Sequence, residues 1–499
     1  MAKPRLFVSR ADFRGGRNST TAPDMLNANE LRDATNARLG VSYGAFAKRT
    51  GSKRMQVNAI GAGNPVTGLI QWDGTGTKQL VAICNGFLYH KTTELGDFTE
   101  VNPTIDFSTS IRQYMAPMRA ATAGAPLYLY IADGTVQRWT GGALTRIDGT
   151  NAGPDADLRM PYHTRMFYRD DDLLKHIFWS KIGDPETCTT GGPTDGGSAL
   201  VDVLSGEALV GLEVVGSSLL MATEDSIMRF RGFSNDDIQI AQDTEGVSSE
   251  VGIAGPKAWA RAEGIVAALS LRGPYAVSET QAMPMGVGKI EADFDALDRA
   301  YLDKAVVGYH RGRREIWFAV PGPSDSHLNK TVYVYSVPLQ AWSGPFTYPF
   351  GITCLARYED ANGDEWLIAG CADGFVRHLD TGVKDDVLAD GTGGTNITMT
   401  VKPAPLTFDS GPLFLKALVR ANVQADLTAS TALKLGIAFD GETYTDYDVT
   451  YVASGLQAHR VDVNGQGHRI FVRFQDASAD IPIVHGFVLE GYDMQRVGI

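Results

Sequence analysis

Seven strand–turn–strand units recur along the chain, their Gly, Asp or Asn corners about 48 residues apart on average. That spacing is close to one four-stranded blade of a β-propeller. The units are 79–90 around Asn85-Gly86, 127–139 around Asp133-Gly134, 165–180 around Asp170 to Asp172, and 209–231 around Glu224-Asp225. Then follow 265–278 around Arg272-Gly273, 315–336 around Ser324 to Lys330, and 365–379 around Asp373-Gly374. In each, β-branched and aromatic residues flank a turn-forming corner. A single blade has two apolar faces and is too small to stand alone, so blades must stack until the ring shuts. Runs such as Val266-Ala267-Ala268 suit tightly packed inner strands. Seven units predict six or seven blades. The competing reading is a large sandwich, or two unrelated β domains whose spacing is accidental. With 55 Gly and 22 Pro the chain is rich in turn formers, as all-β architecture requires. Its 499 residues exceed one hydrophobic core.

The fold class expected is therefore all-β, with a propeller over 61–380. Residues 1–60 are rich in Arg, Asn, Gly and Thr and read as an extended N-terminal arm with one short helix at 28–38, capped by Asn27 or Asn29. Such an arm buries little of its own surface and should dock on the rest of the chain or on a neighbour. Its removal, as residues 1–55, is expected to leave a soluble folded monomer that no longer assembles. Residues 381–397 read as a Gly, Asp and Thr linker. Residues 398–499 alternate cleanly at 414–423, 433–439, 468–474 and 484–492, predicting a C-terminal β-sandwich.

Charge and motifs narrow the function. There are 45 Lys and Arg against 58 Asp and Glu, a net −13, the wrong sign for gripping nucleic acid over a broad basic face. An acidic surface is compatible with a channel through which DNA slides without sticking. Cys84, Cys188, Cys354 and Cys371 form no CxxC pair and read as buried thiols of a reducing cytoplasm. No secretory leader is visible, and no run approaches 18 uncharged apolar residues. HExxH, GxxxxGK[ST], GxSxG and zinc-spaced Cys/His patterns do not occur. The nine histidines are scattered, and His176 and His310 read as satisfied, partly buried groups. Asp243 to Gly246 with Glu250 lacks the alternate ligand spacing of a calcium loop. Gly391 to Gly394 precedes a strand rather than a phosphate-binding helix. Asp170 to Asp172 could pair for acid/base chemistry, although acids at a hairpin corner are usually solvated. Asp133 to Trp139 has an acid, a Gly and an aromatic, but not in the order of a sialidase Asp box. Arg311, Arg313 and Arg314 form a basic run suited to an acidic partner, or to shielding a strand from mispairing. No catalytic, cofactor-binding or metal site is expected, and the chain does not read as an enzyme.

A more specific signal lies in the first 55 residues: Phe13-Arg-Gly15-Gly16-Arg-Asn18, Pro23-Asp-Met-Leu26, Asn29-Glu-Leu31-Arg-Asp-Ala34-Thr-Asn36-Ala-Arg38, and Lys48-Arg49-Thr-Gly51. This resembles the amino-terminal segment of tail hub or nozzle proteins of short-tailed bacteriophages, also called stabilisation or tail tubular B-like proteins. Thr331 to Tyr335 with Ala341-Trp342-Ser343, and Gly467 to Arg473 with Gly486 to Glu490, fit the same picture. Together these segments touch about a fifth of the chain. The resemblance implies a propeller in a homohexameric ring below a portal and adaptor ring, extending the DNA ejection channel and carrying contacts for fibres or spikes. It implies a location in the virion tail, with duplex DNA passing without specific binding. It also implies that Gly15, Gly16, Asn18, Pro23, Leu31, Asn36, Arg49 and Gly51 belong to an assembly interface. The rival expectations are a propeller that binds or cleaves glycans, and a receptor-binding module.

Overall fold

The computed structural model describes residues 6–40, 44–74, 76–94, 96–101, 107–109, 113–120, 125–133, 135–147, 153–170, 172–201, 207–241, 246–322, 327–407 and 414–494. Among them, seven four-stranded antiparallel blades follow one another, over 66–101, 114–146, 156–200, 211–241, 259–284, 306–347 and 352–379. The fold is an all-β propeller, and the blade number is seven. Every unit marked in the sequence contains the second and third strands of one blade, and 209–231 also takes in the first. The corner residues Gly134, Asp171 and 324–326 lie outside the described residues. Where a corner is described, its chemistry is visible: Asn85 and Gly86 both have positive φ, 50° and 82°, as a two-residue hairpin turn of primed type requires.

The seventh blade is completed from the far end of the chain. Its three own strands, Ile352–Glu359, Glu365–Cys371 and Val376–Leu379, are joined by Ser52–Arg54 as the outer fourth. Arg54 pairs with Arg377, Lys53 with His378 and Ser52 with Leu379. The inner strand of this blade packs on Val66–Trp72 of the first. There the side-chain amide of Gln71 donates to the Glu359 carbonyl at 2.7 Å and accepts from the Glu359 N–H at 2.8 Å. Thr353 Oγ1 donates to the Val66 carbonyl at 2.6 Å. Apolar side chains fill the junctions: Trp72, Leu129 and Trp139 between blades one and two, Trp317 and Leu367 between six and seven. Val66, Leu80 and Ile368 fill the closing junction. Middle strands buried on both faces, such as Gln79–Cys84, follow from that stacking.

The sandwich draws on both ends of the chain. One sheet runs Ala37–Leu39, Phe46–Lys48, Ile483–Met494, Leu415–Asp426, Leu456–Gly467, with Leu6–Arg10 also paired to Ile483–Met494. In the other, Glu30–Thr35 pairs with Met399–Pro403, followed by Ile470–Asp476, Lys434–Phe439 and Thr445–Asp448. Glu30–Thr35 also bridges to the outer strand of blade six, Ala34 opposite Gly344, so sandwich and propeller share one continuous sheet. Phe13, Leu31, Leu39 and Phe46 pack in the sandwich core with Leu418, Val423, Phe474 and Phe487.

Two expectations are corrected here. The helix at 28–38 is strand: a register shift between Leu31 and Asp33 turns Leu31 and Ala34 toward the same core, so their three-residue spacing imitates a helical face. Asn36, at φ 53°, a conformation Asn tolerates better than most residues, then passes the chain from this sheet to the other, where Ala37–Leu39 begins. The N-terminal segment is not an extended arm laid on the rest of the chain: its strands are members of the sandwich and of blade seven. Within the span read as linker, Lys384–Asp385 pairs with Thr395–Asn396, and Asp385 is buried.

Candidate assembly site

The residues singled out by the N-terminal resemblance converge on one junction between sandwich, blade six and blade seven. Gly15 donates to the Asn29 carbonyl at 3.0 Å, and Gly16 pairs with Glu30 while lying against the Ala341-Trp342 backbone. Asn18 is buried: its Nδ2 donates to Glu30 at 3.2 Å and its Oδ1 accepts from the Thr21 N–H at 3.0 Å. Asn36 Nδ2 donates to the Thr398 carbonyl and to Thr347 Oγ1, and its Oδ1 accepts from Thr347 N–H and Arg49 Nε. One buried amide thereby holds the turn, the outer strand of blade six and the start of the C-terminal sandwich together. Arg49, 1% exposed, faces Asp385 with both terminal nitrogens, at 2.9 and 2.5 Å, and lies 4.2 Å over the Tyr348 ring. Pro23 opens an exposed single turn, Pro23–Met25, whose Asp24 meets Arg469 at 2.8 Å. Asn18, Leu31, Asn36 and Arg49 are thus buried against their own chain, which corrects their reading as a contact surface for a neighbour.

Gly51 shows how tight the junction is. A Cβ there would stand 1.8 Å from the Lys384 carbonyl oxygen, which is backbone and cannot swing aside. Gly51→Ala is therefore expected to lower stability by about 1–3 kcal/mol. Denaturant unfolding with an unchanged midpoint would contradict that packing.

Three buried ion pairs that sequence reasoning did not locate surround these residues. Lys48 meets Asp476 at 2.5 Å with both side chains fully buried. Arg38 meets Glu315 at 3.2 Å and also Asp380, which is further contacted by Arg313, Thr50 and His310. Burial alone would push the Asp380 carboxyl up, but Arg38, His310, Arg313 and Thr50 outweigh it and hold it well below the carboxylate range. The available signal was Lys48-Arg49 directly after Phe46-Ala47, two buried cations at the end of a short apolar strand. Their acidic partners lie more than 300 residues away, beyond any local pattern.

His378, on the blade strand beside Asp380, packs edge-on against Trp366 at 4.6 Å. Burial lowers it to about 4, with His310 and Lys53 adding to the effect and Asp380 opposing it. Its folded value lies below the unfolded one near 6.5, so the unfolded chain binds the extra proton between them. Stability is fully present above about pH 6.5 and falls as pH drops toward 4, with uptake of about one proton on unfolding. Urea titrations across that window should show the slope, and His378→Gln should flatten it.

The basic run does not form a free patch. Arg314 grips Glu263 at 2.6 and 2.8 Å, Arg311 meets Glu365 at 3.2 Å, and Arg313 reaches Asp380. Arg311 and Arg314 remain more than half exposed. Arg311, with Glu263 that Arg314 holds, lines an axial cavity of about 690 Å³ together with Glu213, Lys257, Arg261 and Arg357. Burial pushes the Glu213 carboxyl up, against the Val214 N–H, Arg261 and Lys257. A second cavity of about 520 Å³ shares Tyr114 and Pro256 with the first and carries Asp157, Arg169 and Lys304. Both are of small-molecule size and cannot pass a duplex.

The remaining candidates resolve into structural roles. Asp170 Oδ1 accepts from the Asp172 and Leu173 N–H groups, closing a turn. Trp139 is buried in the junction between blades one and two, and His310 is buried beside Asp380. Asp243, Thr244 and Glu245 lie outside the described residues. Burial pushes the Cys84, Cys188 and Cys371 thiols up to about 12, away from reactivity at neutral pH. Among the described residues, no group of three or more His, Cys, Asp or Glu is placed to hold a metal, and no helix is long and apolar enough to cross a membrane.

No family model matches this chain, and no curated protein matches it. Among solved structures, it is similar to the N-terminal domain of Nup159, with TM-score 0.41 and 8% identity over 69% of this chain and 98% of that one. It is also similar to BBS1N, solved in complex with ARL6DN, with TM-score 0.40 and 13% identity over 65% of this chain and 94% of that one. Likeness at this distance carries nothing about activity or partners.

Proposed function

We propose that this chain is a structural virion protein of a phage tail, a wall unit of a homohexameric nozzle or hub ring that extends the DNA ejection channel. The observation that supports it is the N-terminal motif resembling tail hub proteins: its residues lock propeller and sandwich into one continuous unit. A wall must hold its shape against load, and cross-linking by sheet, buried amide and ion pairs serves that end. The axial cavities are too small for duplex DNA, so the conduit runs between subunits, not through the propeller. A portal or adaptor ring and fibres or spikes are the partners this reading assigns. Rings bind such partners through wide, flat faces. Electron microscopy of the purified full chain should show six-fold rings with a pore wider than a duplex. Isolated monomers or trimers under the same conditions would sink the proposal.

A second reading has its own support. Cavities of about 520 and 690 Å³ on the propeller axis, lined by both acids and bases, fit a glycan-binding or glycan-cleaving tail component or a receptor-binding module. Saccharide binding or glycan release by the isolated chain, lost on Arg261→Ala, would favour it.

A further inference from the structure

The strand Leu456–Gly467 is twelve residues long and pairs on one side only, with Leu415–Asp426. Among the described residues no strand occupies its other side, and no backbone hydrogen bond outside the sheet reaches it. Long unpaired edges usually carry Lys or Pro that discourage pairing. This one contains neither. His459, Val461 and Val463 face the core, while Arg460 and Asp462 face solvent, 58% and 72% exposed. Leu456 at its start is 58% exposed and nearby Val452 64%.

We propose that this edge pairs antiparallel with the same strand of a second copy, about a two-fold axis at Val461. The register follows from charge. Centred on Val461, Arg460 of each copy stands opposite Asp462 of the other, giving two opposite-charge cross-strand pairs. Centred one residue earlier, Arg460 faces itself; one residue later, Asp462 faces itself. Registers offset so that inward and outward residues meet are excluded, because they would turn valines to water. In the Val461 register His459 opposes Val463, so the core face continues across the axis, while Leu456 opposes Gln466 on the outward face. Within one copy Asp462 is already 3.0 Å from Arg460 and 3.6 Å from Arg420. Pairing therefore extends a charge ladder that exists on this face. The contact stands apart from the ring reading, since a purely six-fold ring contains no such two-fold axis.

Sedimentation of the full chain tests it, with Arg460→Asp, Asp462→Arg and the double reversal R460D/D462R. The wild type should sediment as an even-numbered assembly with amides of 456–463 protected from exchange. Each single reversal places two like-charged pairs across the axis and should weaken the pairing about tenfold or more, halving the assembled mass. The double reversal restores opposite pairs and should restore the mass. Thermal melts of all variants should coincide with wild type, because both side chains are largely exposed. A wild-type chain monomeric at its highest soluble concentration overturns the proposal. So does an assembly indifferent to either single reversal, or one that the double reversal fails to restore.

Discussion

A chain lacking residues 1–55 is expected to be insoluble, or to lose cooperative unfolding, rather than to persist as a folded monomer. The deletion removes Ser52–Arg54 and leaves blade seven with three strands and an open outer edge. It also takes Phe13, Leu31, Leu39 and Phe46 out of the sandwich core, each nearly fully buried. Losing one such side chain costs about 2–5 kcal/mol. Four together match or exceed the whole stability of an ordinary domain, about 5–15 kcal/mol. The sequence-based expectation that the segment serves assembly alone therefore gives way to one in which it is needed for folding. Expression in the soluble fraction, followed by circular dichroism melts, reads the outcome. A soluble truncated chain melting like the full one would show that these strands are dispensable.

The second large effect is expected at Arg49. Its guanidinium is buried and held by Asp385, Asn36 and two backbone carbonyls, those of Thr50 and Thr347. Arg49→Met keeps much of the volume but strands the Asp385 carboxylate, itself nearly buried, without its cation. Breaking one partner of a buried pair costs about 3–5 kcal/mol. Replacing both, as R49M/D385L, removes the uncompensated charge and should recover much of that loss. Arg49→Lys should fall between wild type and Met, because an ammonium cannot make the two-pronged contact. Chemical denaturation of the three variants orders them. A Met variant as stable as wild type would mean the pair is not closed in solution.

The propeller was legible because its signal is local. Each central hairpin carries its own corner and its own alternating flanks, so seven independent readings reinforced one another. The fourth strand of blade seven was not legible, because Ser52–Arg54 is three residues with no pattern of its own, and its partner is more than 320 residues away. The false helix had a specific cause, the register shift that brings Leu31 and Ala34 to one face. Leu456–Gly467 went unread because His459, Gly465 and Gly467 broke the apolar alternation that marked its neighbours. The N-terminal motif was found but its role misplaced: Asn36, Arg49 and Gly51 look like recognition residues in a list, and in space they are fasteners within one chain. Charge followed the same course, since Arg311, Arg313 and Arg314 read as a patch until Glu365, Asp380 and Glu263 appeared beside them.

The closing strand of blade seven also sets a timetable for synthesis. Ser52–Arg54 leaves the ribosome early, while Val376–Leu379 follows after more than 320 further residues. At about 5–20 residues per second, that interval is roughly 15 seconds to a minute. During it the nascent N-terminus has neither its blade nor its sandwich, and six blades form with nothing to latch them. Non-local pairing of this kind folds slowly and exposes strand edges to other chains. Yield of this protein should consequently depend on how long its first fifty residues can wait, and so on temperature, translation rate and chaperone supply during expression.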